Sequence, residues 1–519
     1  MRICSMLFQG MELSGRGFCG IHIWRTMALL FMLPQWDTQA QDYTYTTNDG
    51  SITITGYFGP GGAVTIPSMI DGLSVTSIGT NAFYQRYSVS SVTIPDSVTS
   101  IGAFAFYNSL NLTSVAMGNG VVDIGPEAFN SCSFITNLTL STSLTNIESA
   151  AFIFCSRLRS IALPASLGVI GAHAFYQCSG LTSVVIPDGV GIVGDFAFAY
   201  DSYLTNIWIG KGVTNILTGA FSNCSRLSTI AVDPFNPVYS SLDGVLFNQN
   251  QTALLLCPQA ETGSYVVPDG VRVVGNNAFS LCVGLTNLML PDSVTNLGDG
   301  AFGGCSALSS INLPAGATNI GASVFQQSGV TNVVLPIGIT NVGDRVFQQC
   351  VKLRHVTIPD GVRNIGLYAF YSCFSLTSVV VPATVTNLSA NAFGSSGLKA
   401  VYFKGNAPNP GAGVFSGNTA TVYYMPGTSG WGPTFAGRPT VLWNPRVQTT
   451  GASFGVSSNG FGFTITGSSN LVIVVEASSN LSRPGWLAVG TNTLVGGSSF
   501  FMDAGLTNFS SRYYRLRSP

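Results

Sequence analysis

The chain has 519 residues, of which only 8% are Asp, Glu, Lys or Arg, against about 25% in ordinary soluble proteins. Its 21 basic and 22 acidic residues leave a net charge of −1, so no basic field is available to neutralise phosphates or hold an anionic membrane, and nucleic acid is not an expected partner. Hydrophobic residues at 46% supply a large core, while 60 glycines point to frequent turns.

Residues 1–40 read as an address rather than as part of the fold. A basic element at Arg25 precedes the apolar run Met27–Leu33, and a polar stretch ends in Thr38-Gln39-Ala40, the order of a secretory signal peptide. The run is far shorter than the roughly 20 residues that span a bilayer, and no later stretch is long enough, so export is expected and a transmembrane anchor is not. Residues 1–24, with Cys4, Cys19 and His22, fit no region of such a signal and stand as an N-terminal extension.

From there a repeat takes over. A Phe, preceded by Ala or Val, recurs at 83, 106, 129, 152, 175, 198 and 221, every step being 23, and resumes at 279, 302, 325, 347, 370 and 393 with one step of 22. The unit Leu181-Thr-Ser-Val-Val-Ile-Pro-Asp-Gly-Val190 shows its grammar. Val184-Val-Ile186 is β-branched and ends at Pro187, which has no N–H to give a ladder, so it reads as a short strand stopped by proline. Leu163-Pro164, Leu290-Pro291 and Ile358-Pro359 repeat that ending. A second extended piece ends in Ile-Gly, as at Ile101-Gly102 and Ile365-Gly366, where glycine lets the chain turn. One unit cannot bury its own apolar face, so the units stack with strands parallel, into a solenoid rod of about 70 Å at roughly 4.8 Å per coil.

The pattern Leu-Thr-Ser-Val-x-Ile-Pro, Ile-Gly and Ala-Phe-x-x-Cys resembles the BspA-like, or treponemal-type, leucine-rich repeat family over about residues 41–445. The resemblance implies N-terminal covering strands in Tyr43–Pro67, an irregular unit near 233–268 and a closing unit at Tyr423-Tyr-Met-Pro426 and Gly430-Trp431. Asp243-Gly244 within the irregular unit reads as a hairpin turn. Beyond Pro445 the period vanishes. Apolar runs at Phe461–Ile465, Leu471–Val475, Trp486–Val489, Phe500-Phe501 and Tyr513–Leu516 suit a small antiparallel β-sandwich over 446–519. The expected fold is therefore mainly β, a curved leucine-rich-repeat solenoid of 23-residue coils followed by that accessory domain.

Residues with chemistry in them fall on the repeat. Cys132, Cys155, Cys178, Cys224, Cys282, Cys305, Cys350 and Cys373 each lie three positions after the Phe, which makes them a core ladder rather than a metal site built from paired ligands. Neighbouring coils still leave an occasional disulfide open. His173 and His355 are about eight coils apart, roughly 38 Å, so they share no site. Asp96, Asp188, Asp269, Asp292 and Asp360 follow the strand proline and read as turn-formers, with a catalytic or calcium-binding pair at Asp269 and Asp292 as the alternative. No catalytic residue, metal or cofactor is implied.

What remains is a surface. The outward strand column carries Val185, Trp208, Met289 and Tyr402 amid Ser, Thr and Asn, with Arg354 and His355 in the row beside it, and these six define a candidate ligand-binding concave face. Trp208 either anchors a partner or packs on Lys211. The expected function is an exported, non-enzymatic repeat protein that binds extracellular proteins or glycans at the cell surface. The family resemblance adds adhesion to that reading, and the alternatives are an envelope scaffold or a glycan-binding solenoid.

Overall fold

The computed structural model describes residues 42–451, 453–457, 459–482, 485–505 and 511–517. The signal-peptide reading lies outside them. Among the described residues the regular structure is strand and turn, without α-helix.

Each coil contributes two strands and a turn stack. Pro95 ends Val89–Ile94 and Pro187 ends Ser183–Ile186, as the missing N–H requires. These longer strands pair in parallel one coil apart: Ser183↔Asn206↔Thr229 and Val185↔Trp208↔Ala231 are in register. Two-residue strands ending at the Ile-Gly corner form the second row, including Ser100–Ile101, Asp123–Ile124, Asn146–Ile147 and Val169–Ile170. The segment 160–163, whose sequence promised a strand ending at Pro164, forms no ladder, and it divides the first row into a sheet ending at Asn137–Thr139 and one beginning at Ser183–Ile186.

The third side of the coil is a turn built from left-handed residues two before and two after the Phe, such as Phe104 and Asn108 around Phe106, both at φ 55. That alternation sends every second N–H along the rod: Phe104, Phe106 and Asn108 donate to the carbonyls of Pro126, Ala128 and Asn130 at 3.1, 2.7 and 2.7 Å. A left-handed non-glycine residue is disfavoured by about 1–2 kcal/mol. The coil-to-coil bonds hold it there.

Inside, the Phe column becomes a continuous stack. Phe106, Phe129, Phe152, Phe175 and Phe198 follow one another at 4.9, 5.1, 5.4 and 5.2 Å between ring centroids. Tyr57 stacks on Phe83 at 5.0 Å and closes the near end. It sits on an antiparallel hairpin, Tyr43–Asn48 with Ser51–Tyr57, whose second strand pairs in parallel with Leu73–Ile78. The far end gains a rung that the 23-residue spacing hid, Phe415, 5.8 Å from Phe393, and Trp431 packs across Phe403, Tyr424 and Phe435 beyond it.

The irregular unit splits the core. Asp243-Gly244 turns an antiparallel hairpin, Tyr239–Leu242 with Val245–Asn248, with φ 50 and 81 at the two corner residues. One buried cluster runs from Tyr43 to Leu246 and a second from Val245 to Phe435. After residue 445 come two antiparallel sheets, one of Arg446–Gln448, Gly455–Ser457, Gly460–Thr466 and Ser498–Asp503, the other of Val472–Ser478, Leu487–Thr493 and Tyr513–Arg517. They bury Phe463, Ile465, Ile473, Val475 and Phe501 against Tyr402 and Tyr423 of the last coils.

Candidate binding face

The outward residues of the long strands follow from pleating, since alternate side chains point away from the core. Val184, Ile186, Ile207 and Ile209 are buried, which turns Val185 and Trp208 outward at 59% and 39% exposure. Trp208 lies between Val185 and Ala231 across the sheet. Lys211, the other expected neighbour, gives its Nζ to the Asp188 carboxylate at 3.3 Å. In the next sheet Val266 and Met289 are in register and both exposed. Val334 pairs with Thr357 further along, and His355 lies opposite Asn332, with Arg354 exposed just before it.

Tyr402 departs from the expectation. Pleating does place it in the same column, opposite Val380 and Tyr423, but the C-terminal sheets cover it and it is 1% exposed. It belongs to a core and is not available to a ligand. The six residues therefore fall into separate places: Val185 with Trp208, Met289 beyond the irregular unit, Arg354 with His355 further on, and Tyr402 inside. Sequence reasoning also passed over Phe235 and Ile337, the latter just after Pro336, at 84% and 79% exposure. Both stand in turns, where the strand alternation says nothing; an aromatic between Pro234 and Pro237 was the available signal for Phe235.

The cysteines lie where the repeat puts them, buried, with all nine described thiols free. Cys132, Cys178, Cys305 and Cys373 donate Sγ–H to the carbonyls of Phe106, Phe152, Phe279 and Phe347 at 2.9–3.1 Å, and Ser109 does the same for Phe83 with its hydroxyl at 3.0 Å. The post-proline Asp96 and Asp188 accept the N–H of Asn119 and Lys211, 23 residues on, at 2.7 and 3.2 Å, so they tie coils together rather than close their own turns. His173 stacks on Phe196 at 5.4 Å in the turn stack, on another side of the coil from the strand that carries His355. Among the described residues no three His, Cys, Asp or Glu gather as a metal would need, and no helix is long and apolar enough to cross a membrane.

A parallel solenoid of 23-residue coils with a stacked Phe interior and a proline-stopped strand row is a leucine-rich-repeat architecture. The model of the BspA type leucine rich repeat region matches residues 64–182, 145–250, 272–399 and 318–428, more than half of the chain, which belongs to that family. A leucine rich cell surface protein of Faecalibacterium prausnitzii is 31% identical in its crystal structure, covering 70% of this chain and 94% of its own, with a TM-score of 0.57. A leucine-rich repeat protein of Bacteroides ovatus is 27% identical over 74% of this chain and 94% of its own, at 0.51. The pneumococcal vaccine antigen PcpA, 22% identical over 70% and 91%, shares the fold at 0.51. No curated protein matches.

Proposed function

We propose that this protein is exported and held at or outside the cell surface, where its solenoid binds extracellular proteins or glycans without catalysing a reaction. The observation that carries the reading is Trp208, exposed and in register between Val185 and Ala231 on a sheet whose other face is sealed core. A large, half-exposed indole on a rigid strand loses little conformational freedom when a partner covers it, which is what a binding anchor requires. Membership in a repeat family and likeness to a protein described as lying on the cell surface support the location. In this reading residues 41–445 form the recognition rod, and 446–519 form an accessory domain that seals its last coils.

The test is a screen of the protein against extracellular-matrix proteins and glycans, with Trp208→Ala alongside. Saturable binding that weakens at least about tenfold in the variant is expected. Silence on every ligand shifts the role to a scaffold, and binding that survives the substitution moves recognition off this face.

A further inference from the structure

Between residues 134 and 226 the fifth position after each core Phe carries Phe134, Arg157, Gly180, Tyr203 and Arg226, one per coil. The Arg157 guanidinium lies 3.8 Å over the Phe134 ring, and that of Arg226 lies 4.3 Å over the Tyr203 ring. These are two completed cation–π pairs. Gly180 separates them; a Cβ there would meet the Ser156 and Leu158 carbonyl oxygens at 2.8 and 2.9 Å, so the position carries no side chain and the ladder skips one rung beside the space that Arg157 and Tyr203 line. Its depth is set by the core rings of the same coils, Phe152, Phe175 and Phe198, which step by 5.4 and 5.2 Å. That is the spacing at which the core rings themselves stack, so the rung has room for one ring.

The rung opens into a cavity of about 620 Å³ whose lining includes Thr136, Arg159 and Thr182. In neighbouring coils the Arg159 position is a threonine, at Thr113, Thr136, Thr182 and Thr205. Thr136, Thr182 and Thr205 each donate N–H to the carbonyl one coil back at 2.9, 3.2 and 2.9 Å, and their hydroxyls add a second bond to the same oxygen. Arg159 makes neither bond to Thr136, and its coil forms no strand ladder, so the Thr136 carbonyl stays open as an acceptor. Arg157 and Arg159 also have no carboxylate partner: the ion pairs of the described residues are Lys211 with Asp188, and arginines 512, 515 and 517 with Asp503 or Glu476.

We propose that this slot binds a carboxylate-bearing pyranose of an acidic polysaccharide. The sugar ring fills the Gly180 rung against the bare face of Tyr203, its carboxylate meets Arg159 and Arg157, and a hydroxyl donates to the Thr136 carbonyl. Arg157 and Arg159 are both exposed and line the same cavity, where a single carboxylate can accept charge-assisted hydrogen bonds from them. A neutral sugar fills the rung but leaves the arginines unpaired, and a run of acidic side chains pairs the arginines but brings no ring to lie on Tyr203. Trp208 does not line the cavity, and the site stands independently of it.

The test measures binding of the full chain to polygalacturonate, to its neutral methyl ester, to 3′-sialyllactose and to polyglutamate. Arg159→Thr, which restores the residue of the neighbouring coils, keeps the thermal midpoint and so isolates the charge. Expected are saturable binding to polygalacturonate or to sialyllactose, the two arms telling a chain-internal from a terminal acidic sugar, and a loss of at least about tenfold for the ester and for Arg159→Thr. Weakening by added salt and by Tyr203→Ala supports the same placement. Equal binding by Arg159→Thr, equal binding of the ester, polyglutamate as good as the sugars, or no binding to either acidic sugar overturns the proposal.

Discussion

Tyr402 and Tyr423 stack at 4.9 Å with their rings 14° apart, on adjacent solenoid strands and beneath the C-terminal sheets. The last coils and the C-terminal sheets thus share one core, and the sheet row ends in a seal. Burial, with Tyr423 beside it, pushes the Tyr402 phenol above its ordinary range. Tyr402→Ala removes a fully enclosed aromatic and is expected to destabilise the protein by about 3–5 kcal/mol. Limited proteolysis checks where: cleavage after residue 445 should appear well before cleavage within the coils. Simultaneous loss of both parts would show that the seal supports the whole rod, and unchanged resistance would refute the shared core.

Asp201 occupies the cysteine column between Cys178 and Cys224, yet neither of its buried carboxyl oxygens has a hydrogen-bond partner. Burial outweighs the opposing pull of the Cys178 backbone and drives its pKa well above the ordinary 3.8, which favours the protonated form in the native state. The folded pKa exceeds the unfolded one, so stability is greatest below about pH 4 and falls as pH rises toward the folded value. Asp201→Ser supplies the hydroxyl that Ser109 already uses in this column. Denaturation midpoints at pH 4 and pH 8 should converge in the variant, with a gain of about 1–3 kcal/mol at pH 8. A variant that keeps the wild-type pH dependence would assign it to another group.

The solenoid was legible because a strict period leaves few alternatives: proline stops, Ile-Gly corners and the Phe column each have one physical reading, and these hold except at Leu163-Pro164, where no strand forms. Elements whose spacing drifts escaped. Cys257 precedes Cys282 by 25 residues and so lay off its column though it is buried in it, and Phe415, 22 after Phe393, is followed three residues later by Asn418 rather than the usual Cys or Ser. The left-handed positions escaped for another reason. Phe104, Phe154, His173, Phe196 and Tyr200 adopt φ of 53–64 with no glycine to announce it, because the stack of coils rather than local preference imposes it. Tyr402 was placed in the right column and given the wrong exposure, since its cover comes from strands 60 and more residues downstream. The Arg159 cavity is invisible in any single repeat. It depends on three consecutive coils carrying Arg157, Gly180 and Tyr203.

The nine described thiols should be chemically silent in the native protein. Burial raises the Cys350 thiol to about 12 and lifts Cys132, Cys178 and Cys373 well above the ordinary thiol range, so almost no thiolate exists at these four at pH 8. In a chain beginning at residue 41, a thiol-reactive dye should label none before denaturation and all nine after it. Cys132→Ser should cost under about 1.5 kcal/mol, because serine can bond the same carbonyl as Ser109 does one coil earlier. Rapid native labelling would mean that the coils open locally.

Acid should loosen the C-terminal sheets first. Burial works to raise the Glu476 carboxyl, but hydrogen bonds and charge from Arg517 and Arg515 outweigh it and hold the group below its ordinary range. Those bonds cross from Val472–Ser478 to the adjacent strand Tyr513–Arg517, joining the edge strand to the centre of its sheet. A depressed folded pKa means that the contribution is present above about pH 4.5 and disappears as pH falls through the folded value. Arg515 also lies 4.6 Å over the Trp486 ring, so indole emission reports the event locally. In a chain beginning at residue 41, with Trp208, Trp431 and Trp443 replaced by Phe, the emission of Trp486 should change cooperatively below pH 4.5 while the far-ultraviolet signal of the coils persists. Glu476→Gln should remove that acid transition and lower stability at pH 7, because the two arginines then face a neutral amide. An acid transition that survives in Glu476→Gln would place the sensitive group elsewhere in the sheets.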